Sequence, residues 1–90
     1  MSGAYSDPKP ATQETQEIAD KVKVAAKEKV GRVFQMCKAI EYQTQVVAGT
    51  NFKIIVQVTD FPQNLEIVVF RSLKDQFSLT SATLLIMEKP

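Results

Sequence analysis

Residues 18–46, IADKVKVAAKEKVGRVFQMCKAIEYQTQV, decide the fold, because the hydrophobic period changes inside them. Up to Gly31, the residues Ile18, Val22, Ala25 or Ala26, and Val30 recur at spacings near four, with Ala19 beside them. That spacing predicts an amphipathic helix. Beyond Gly31 the period falls to two. Phe34, Met36, Ile40, Tyr42, Thr44 and Val46 alternate with Gln35, Cys37, Ala39, Glu41, Gln43 and Gln45, broken only by Lys38. That alternation predicts one long strand. Gly31, able to take a left-handed conformation, is placed to end the helix between them.

Upstream, Thr12 is the expected N-cap, and the helix is predicted over 13–30. Glu14, Glu17 and Asp20 precede Lys21, Lys23, Lys27 and Lys29, the order that complements a helix dipole. Residues 1–11 form an extended trunk in which Pro8 and Pro10 bias their neighbours toward β or polyproline backbone. Downstream, Phe52, Ile54, Val56 and Val58 alternate with Lys53, Ile55 and Gln57 in a second strand. Asn64 to Arg71 forms a third and Phe77 to Met87 a fourth. The connections Ala48–Asn51, Thr59–Gln63 and Ser72–Gln76 are short, which requires antiparallel hairpins. The expected class is α+β: an antiparallel sheet of four to five strands around one helix, the fifth strand drawn from the trunk. Ninety residues make one domain, 1–90.

Composition narrows the function. Eleven Lys and Arg against ten Asp and Glu give a net charge of +1, which removes the simplest case for nucleic acid or an anionic membrane as partner. Histidine is absent, which excludes Cys–His and Ser–His catalysis and any histidine metal site. The single cysteine, Cys37, permits no intrachain disulfide, so a reducing compartment is expected. The polar lead MSGAYSDPKPATQETQE has no apolar signal core, and no apolar run is long enough to span a bilayer. A cytoplasmic location is the expectation. Cys37 reads best as a small apolar residue in the sheet, since no histidine can serve as its base. Tyr42 and the phenylalanines follow strand alternation and are not interleaved with basic residues, unlike a base-stacking platform. The late lysines of the helix read as its solvated face.

The hairpin Gln45-Val46-Val47-Ala48-Gly49 has an uncharged bend with two valines, where loop tips are ordinarily polar. Two readings stand for it. The valines either form a surface kept for a partner or end the core face of their strand.

These five residues match the Gln-x-Val-x-Gly signature of cystatins, and QVVAGTN, Gln45 to Asn51, resembles its stefin form. Lys9-Pro10-Ala11-Thr12, QEIADKVK (Gln16 to Lys23) and VFRSL (Val69 to Leu73) resemble stefin segments in the same order, over about residues 3–73. The resemblance implies a cystatin-like fold, no cofactor, and no enzymatic activity. It implies a reversible, tight-binding inhibitor of papain-like cysteine proteases of the cathepsin L, H and B class. The implied contacts are the trunk at Gly3 and Ala4, the first hairpin Gln45, Val46, Val47, Ala48 and Gly49, and a second hairpin at Leu73 and Lys74. It implies a monomer able to domain-swap into a dimer. Burying Val46, Val47 and Leu73 would contribute about 1.5–3 kcal/mol each, against an association cost of roughly 4–15 kcal/mol. Tight binding therefore requires loops already in shape.

The chain departs from the family pattern in three places. Leu73 is followed by Lys74 where Leu-Pro is usual, Ala4 stands where many relatives have a second glycine, and the region after Gln76, FSLTSATLLIMEKP, lacks the usual aromatic strand and polar tail. Leu84-Leu85-Ile86-Met87 reads as the last strand, or as an aggregation-prone end. The departures leave open an alternative, a cystatin-fold interaction or structural protein with weak or lost inhibition.

Overall fold

The computed structural model describes residues 3–32, 37–58 and 63–86. Its elements run β1 (Lys9–Pro10), α1 (Gln13–Lys21), α2 (Lys23–Val30), β2 (Lys38–Val47), β3 (Gly49–Gln57), β4 (Gln63–Arg71) and β5 (Phe77–Ile86). The five strands form one sheet in the order β1-β2-β3-β4-β5, every neighbouring pair antiparallel. The trunk thus supplies the fifth strand, though only two residues of it pair as a ladder. Three expectations lie outside the described residues: the strand start at Phe34, Gln35 and Met36, the turn at 59–62, and the strand end at Met87.

The helix begins where Thr12 caps it. The Thr15 backbone N–H donates to Thr12 Oγ1 (3.2 Å), and the Thr12 N–H donates to Thr15 Oγ1 (2.8 Å). This is a capping box with threonine in place of the usual acidic or amide side chain. Thr15 is fully buried, and its hydroxyl is satisfied by also donating to the Thr12 carbonyl (2.9 Å). Thr15→Val keeps the shape but removes both of these bonds. It should destabilise the fold by about 1–2 kcal/mol, read as a melting temperature lowered by roughly 4–8 °C per kcal/mol.

One continuous helix over 13–30 was predicted, and two are found. At Val22 the backbone leaves helical geometry (φ −105°, ψ 8°), and its N–H turns back to the Ala19 carbonyl at 3.3 Å. Neither proline nor glycine lies at this break; Val22 keeps its side chain in the core while Val24 is left exposed. The period also resolves the choice at the next turn: Ala26 is buried and Ala25 is exposed. α2 ends as predicted, with Gly31 left-handed (φ 76°) and donating to the Lys27 carbonyl at 2.8 Å.

Ile18, Ala19, Val22 and Ala26 pack into one cluster with Phe52, Ile54, Val56 and Val58 of the second strand segment and Leu65, Ile67 and Val69 of β4. Phe77, Leu79, Ala82 and Leu84 of β5 are partly buried against the same core. Burial alternates along β3 and β4 as the period of two requires.

In β2 the alternation changes phase. A bulge between Ala39 and Glu41 leaves Ile40 without a partner in β3, so Ala39 faces the core and Ile40 is 42% exposed, off the face that unbroken alternation would have it share with Tyr42. The extra residue of a bulge shifts every side chain behind it to the other face. Gln16 secures this region from the helix. Its Oε1 accepts from the Ala39 N–H (2.8 Å) and its Nε2 donates to the Cys37 carbonyl (3.0 Å), pairing as a backbone amide would. Among the described residues, no helix is long and apolar enough to cross a membrane.

Candidate functional site: two hairpins and a trunk at one edge

The first hairpin turns within a single residue. Val47 pairs with Gly49, leaving Ala48 alone at the bend. Val46 is 67% and Val47 39% exposed, so the valines do not end inside the core. Gly49 is required twice over. Its φ of +124° disfavours any side chain. A Cβ there would also lie 2.5 Å from the Arg71 carbonyl oxygen and 2.8 Å from the Phe70 ring.

That close approach brings the second hairpin alongside. Thr50 pairs with Arg71, so the turn after β4 sits beside the bend after β2. An open groove runs between them, its walls including Val46, Val47, Thr50, Arg71, Leu73 and Asp75. Leu73 projects from it, 82% exposed, with Lys74 exposed next to it. Lys74 brings no ring to stiffen this turn, and Ser72 braces it. Ser72 Oγ accepts from the backbone N–H groups of Lys74 (3.2 Å) and Gln76 (3.1 Å). The Ser72 N–H donates to the Gln76 carbonyl (2.9 Å), and Asp75 closes the turn with φ 60°. Arg71 lies at the base, 5.2 Å above the Phe52 ring, with Glu14 Oε2 at 3.8 Å and Asp75 Oδ1 at 4.0 Å.

The trunk reaches the same edge from the other side. The Gly3 carbonyl accepts from Gln45 Nε2 (2.5 Å), and Gln45 Oε1 accepts from Asn51 Nδ2 (2.7 Å). Gly3 and Ala4 are both exposed. Farther back, the Ser6 N–H donates to the Thr44 carbonyl (2.8 Å), the Thr44 N–H donates to Ser6 Oγ (3.0 Å), and Gln43 Nε2 donates to the Ser6 carbonyl (2.9 Å). Lys53 Nζ stands 4.2 Å from the centre of the Tyr5 ring. All nine residues singled out in the sequence therefore sit on the trunk or on the two adjoining hairpins.

Sequence reasoning passed over Ser6, Gln43, Asn51 and Ser72. Gln43 and Gln45 carried a signal, since residues two apart in a strand share a face. Cys37 is half-buried, and burial pushes its thiol above the ordinary value against the lowering pull of Lys23 and Lys27, while Asp20 raises it further. Such a thiol is a poor nucleophile. Among the described residues, no cluster of three or more His, Cys, Asp or Glu is arranged to hold a metal ion.

The cystatin domain's family model matches residues 3–84, and the helix-backed, five-stranded antiparallel sheet is consistent with that α+β fold. The chain is 48% identical to Cystatin-A of Felis catus over 83 residues, 92% of this chain and 84% of that protein. It is 51% identical to Cystatin-B of Ovis aries over 73 residues, 81% of this chain and 74% of the relative. To Leukocyte cysteine proteinase inhibitor 1 of Sus scrofa it is 45% identical over 76 residues, 84% and 73% of the two chains. The chain belongs to the cystatin family, on its stefin branch.

Proposed function

We propose that the chain is a reversible, tight-binding inhibitor of papain-like cysteine proteases that acts by occupying the active-site cleft. The observation that carries this reading is the exposure of Val46, Val47 and Leu73 on adjacent hairpins, on a sheet that also holds the trunk. A cleft that binds extended peptide accepts small apolar side chains and closely approaching backbone, and this edge offers both. The inhibitory role named for the Sus scrofa relative supports the same reading. The chain does no chemistry on its target and is not an enzyme. The protease contacts are Gly3, Ala4, Gln45 to Gly49, Leu73 and Lys74, presented by one domain spanning 1–90. The targets are proteases of the cathepsin L, H and B class, met in the cytoplasm by the monomer.

The energetics depend on preorganisation. Three apolar side chains worth about 1.5–3 kcal/mol each only just offset an association cost of roughly 4–15 kcal/mol. The one-residue bend at Ala48 and the Ser72-braced turn keep both loops in shape before binding. A domain-swapped dimer, formed by opening the bend and exchanging the helices and β2, would straighten the first hairpin and lose inhibition. Light scattering beside an inhibition assay tests this, and a dimer that inhibits as well as monomer contradicts it.

A second reading, weak inhibition, is favoured by Lys74, which puts a charge beside Leu73 at the second tip. Kinetics with a peptide substrate separate the two. Cleft occupation predicts inhibition competitive with substrate and recovery of the intact chain, by mass, after dissociation. Inhibition that is weak and lost on adding salt favours the second reading.

A further inference from the structure

The trunk does not follow β2 as a regular strand. The Ala11 N–H donates to the Ile40 carbonyl and Lys9 pairs with Tyr42, but Pro8 and Pro10 have no N–H to continue the ladder. Beyond them side chains take over. Ser6 exchanges bonds with Thr44 through its N–H and hydroxyl, Gln43 holds the Ser6 carbonyl, and Gln45 holds the Gly3 carbonyl. Gln45 is itself fixed from the returning strand by Asn51. Both ends of its amide are thus occupied within the free chain. We infer that Gln43 and Gln45 form a latch that orders the trunk along β2 before a target arrives, and that Gln45 serves inhibition by positioning Gly3 as well as by its own contact with the protease.

The physical basis is ordering entropy. A trunk fixed only on binding would lose its backbone freedom at that moment, at the expense of affinity. Lys53 over the Tyr5 ring adds a clasp between the two carbonyls that the glutamines hold. The inference rests on the inhibitory reading for its consequence, but the latch is measurable in the free protein.

The test uses two near-isosteric changes, Gln45→Glu and Gln43→Glu. A carboxylate keeps the shape of the amide but cannot donate to a carbonyl. In each variant, hydrogen exchange at the Ser6 amide and inhibition of papain are measured together, with the melting temperature as a check on the fold. The latch predicts exchange at Ser6 at least tenfold faster, an unchanged fold, and a Kd for papain raised about tenfold, equivalent to about 1.4 kcal/mol. Gln43 lies outside the proposed contact set, so a loss of affinity in Gln43→Glu must arise through the trunk. Unchanged exchange at Ser6 in both variants overturns the latch. Faster exchange with unchanged papain affinity overturns its role in binding. If the wild-type chain leaves papain untouched, the inhibitory reading fails, and exchange at Ser6 alone still decides whether the latch exists.

Discussion

Replacing Gly49 with alanine should cost the fold about 2–6 kcal/mol and abolish the shape of the first hairpin. Two penalties combine. A φ of +124° is open to glycine and strained for alanine, worth about 1–3 kcal/mol. The new methyl would meet the Arg71 carbonyl oxygen at 2.5 Å and the Phe70 ring at 2.8 Å, and such overpacking costs about 1–3 kcal/mol more. The backbone oxygen cannot rotate away as a side chain could, so β3 must separate from β4 where the two hairpins lie together. A melting temperature lowered by at least roughly 8 °C is expected, with inhibition lost even below the transition. Gly49 substitutions therefore report on the sheet as well as on the site, and an alanine variant as stable as wild type contradicts this placement.

Val47→Asp separates the two effects. Val47 is 39% exposed at the bend and makes no part of the core, so the melting temperature should move little, within the roughly 0.5 kcal/mol usual for surface changes. Inhibition should fall at least about 100-fold. Losing the buried valine accounts for about 1.5–3 kcal/mol, and a carboxylate carried into a cleft without a partner adds its own desolvation cost. Inhibition constants and thermal melts on the same preparation check both halves. A variant that keeps its melting temperature and its inhibition places the contact elsewhere.

The fold was legible where burial is decided by local period. β3 and β4 alternate as read from Phe52 to Val58 and from Asn64 to Arg71, and Thr12 and Gly31 bound the helical region. Two features were not legible. The break at Val22 lies in a sequence with good helix formers on both sides and no proline or glycine, so nothing local announces it. The bulge at Ile40 is invisible because alternation is a property of spacing, and a single extra residue changes the face without changing the composition. Spacing alone grouped Ile40 with Tyr42 for that reason.

At the candidate site the apolar parts were legible because an uncharged tip is unusual in sequence. The polar parts were not. Ser6 and Gln43 are 37 residues apart in the chain, and Gly3 and Gln45 are 42 apart, so only the pairing of the trunk with β2 brings them together. Ser72 was read as part of a motif, yet it takes up the bracing of a turn in which Lys74 cannot stiffen the backbone. In both places hydrogen bonds from side chains replace what a regular ladder or a proline would have supplied.

The central claim is that the exposed edge formed by Gly3, the Ala48 bend and Leu73 fits a protease cleft as it stands. Titrating the purified chain against papain of counted active sites tests it most directly. A linear loss of activity that reaches completion near one inhibitor per active site is the predicted result. Papain that keeps its full activity with the folded chain at micromolar concentration would contradict it.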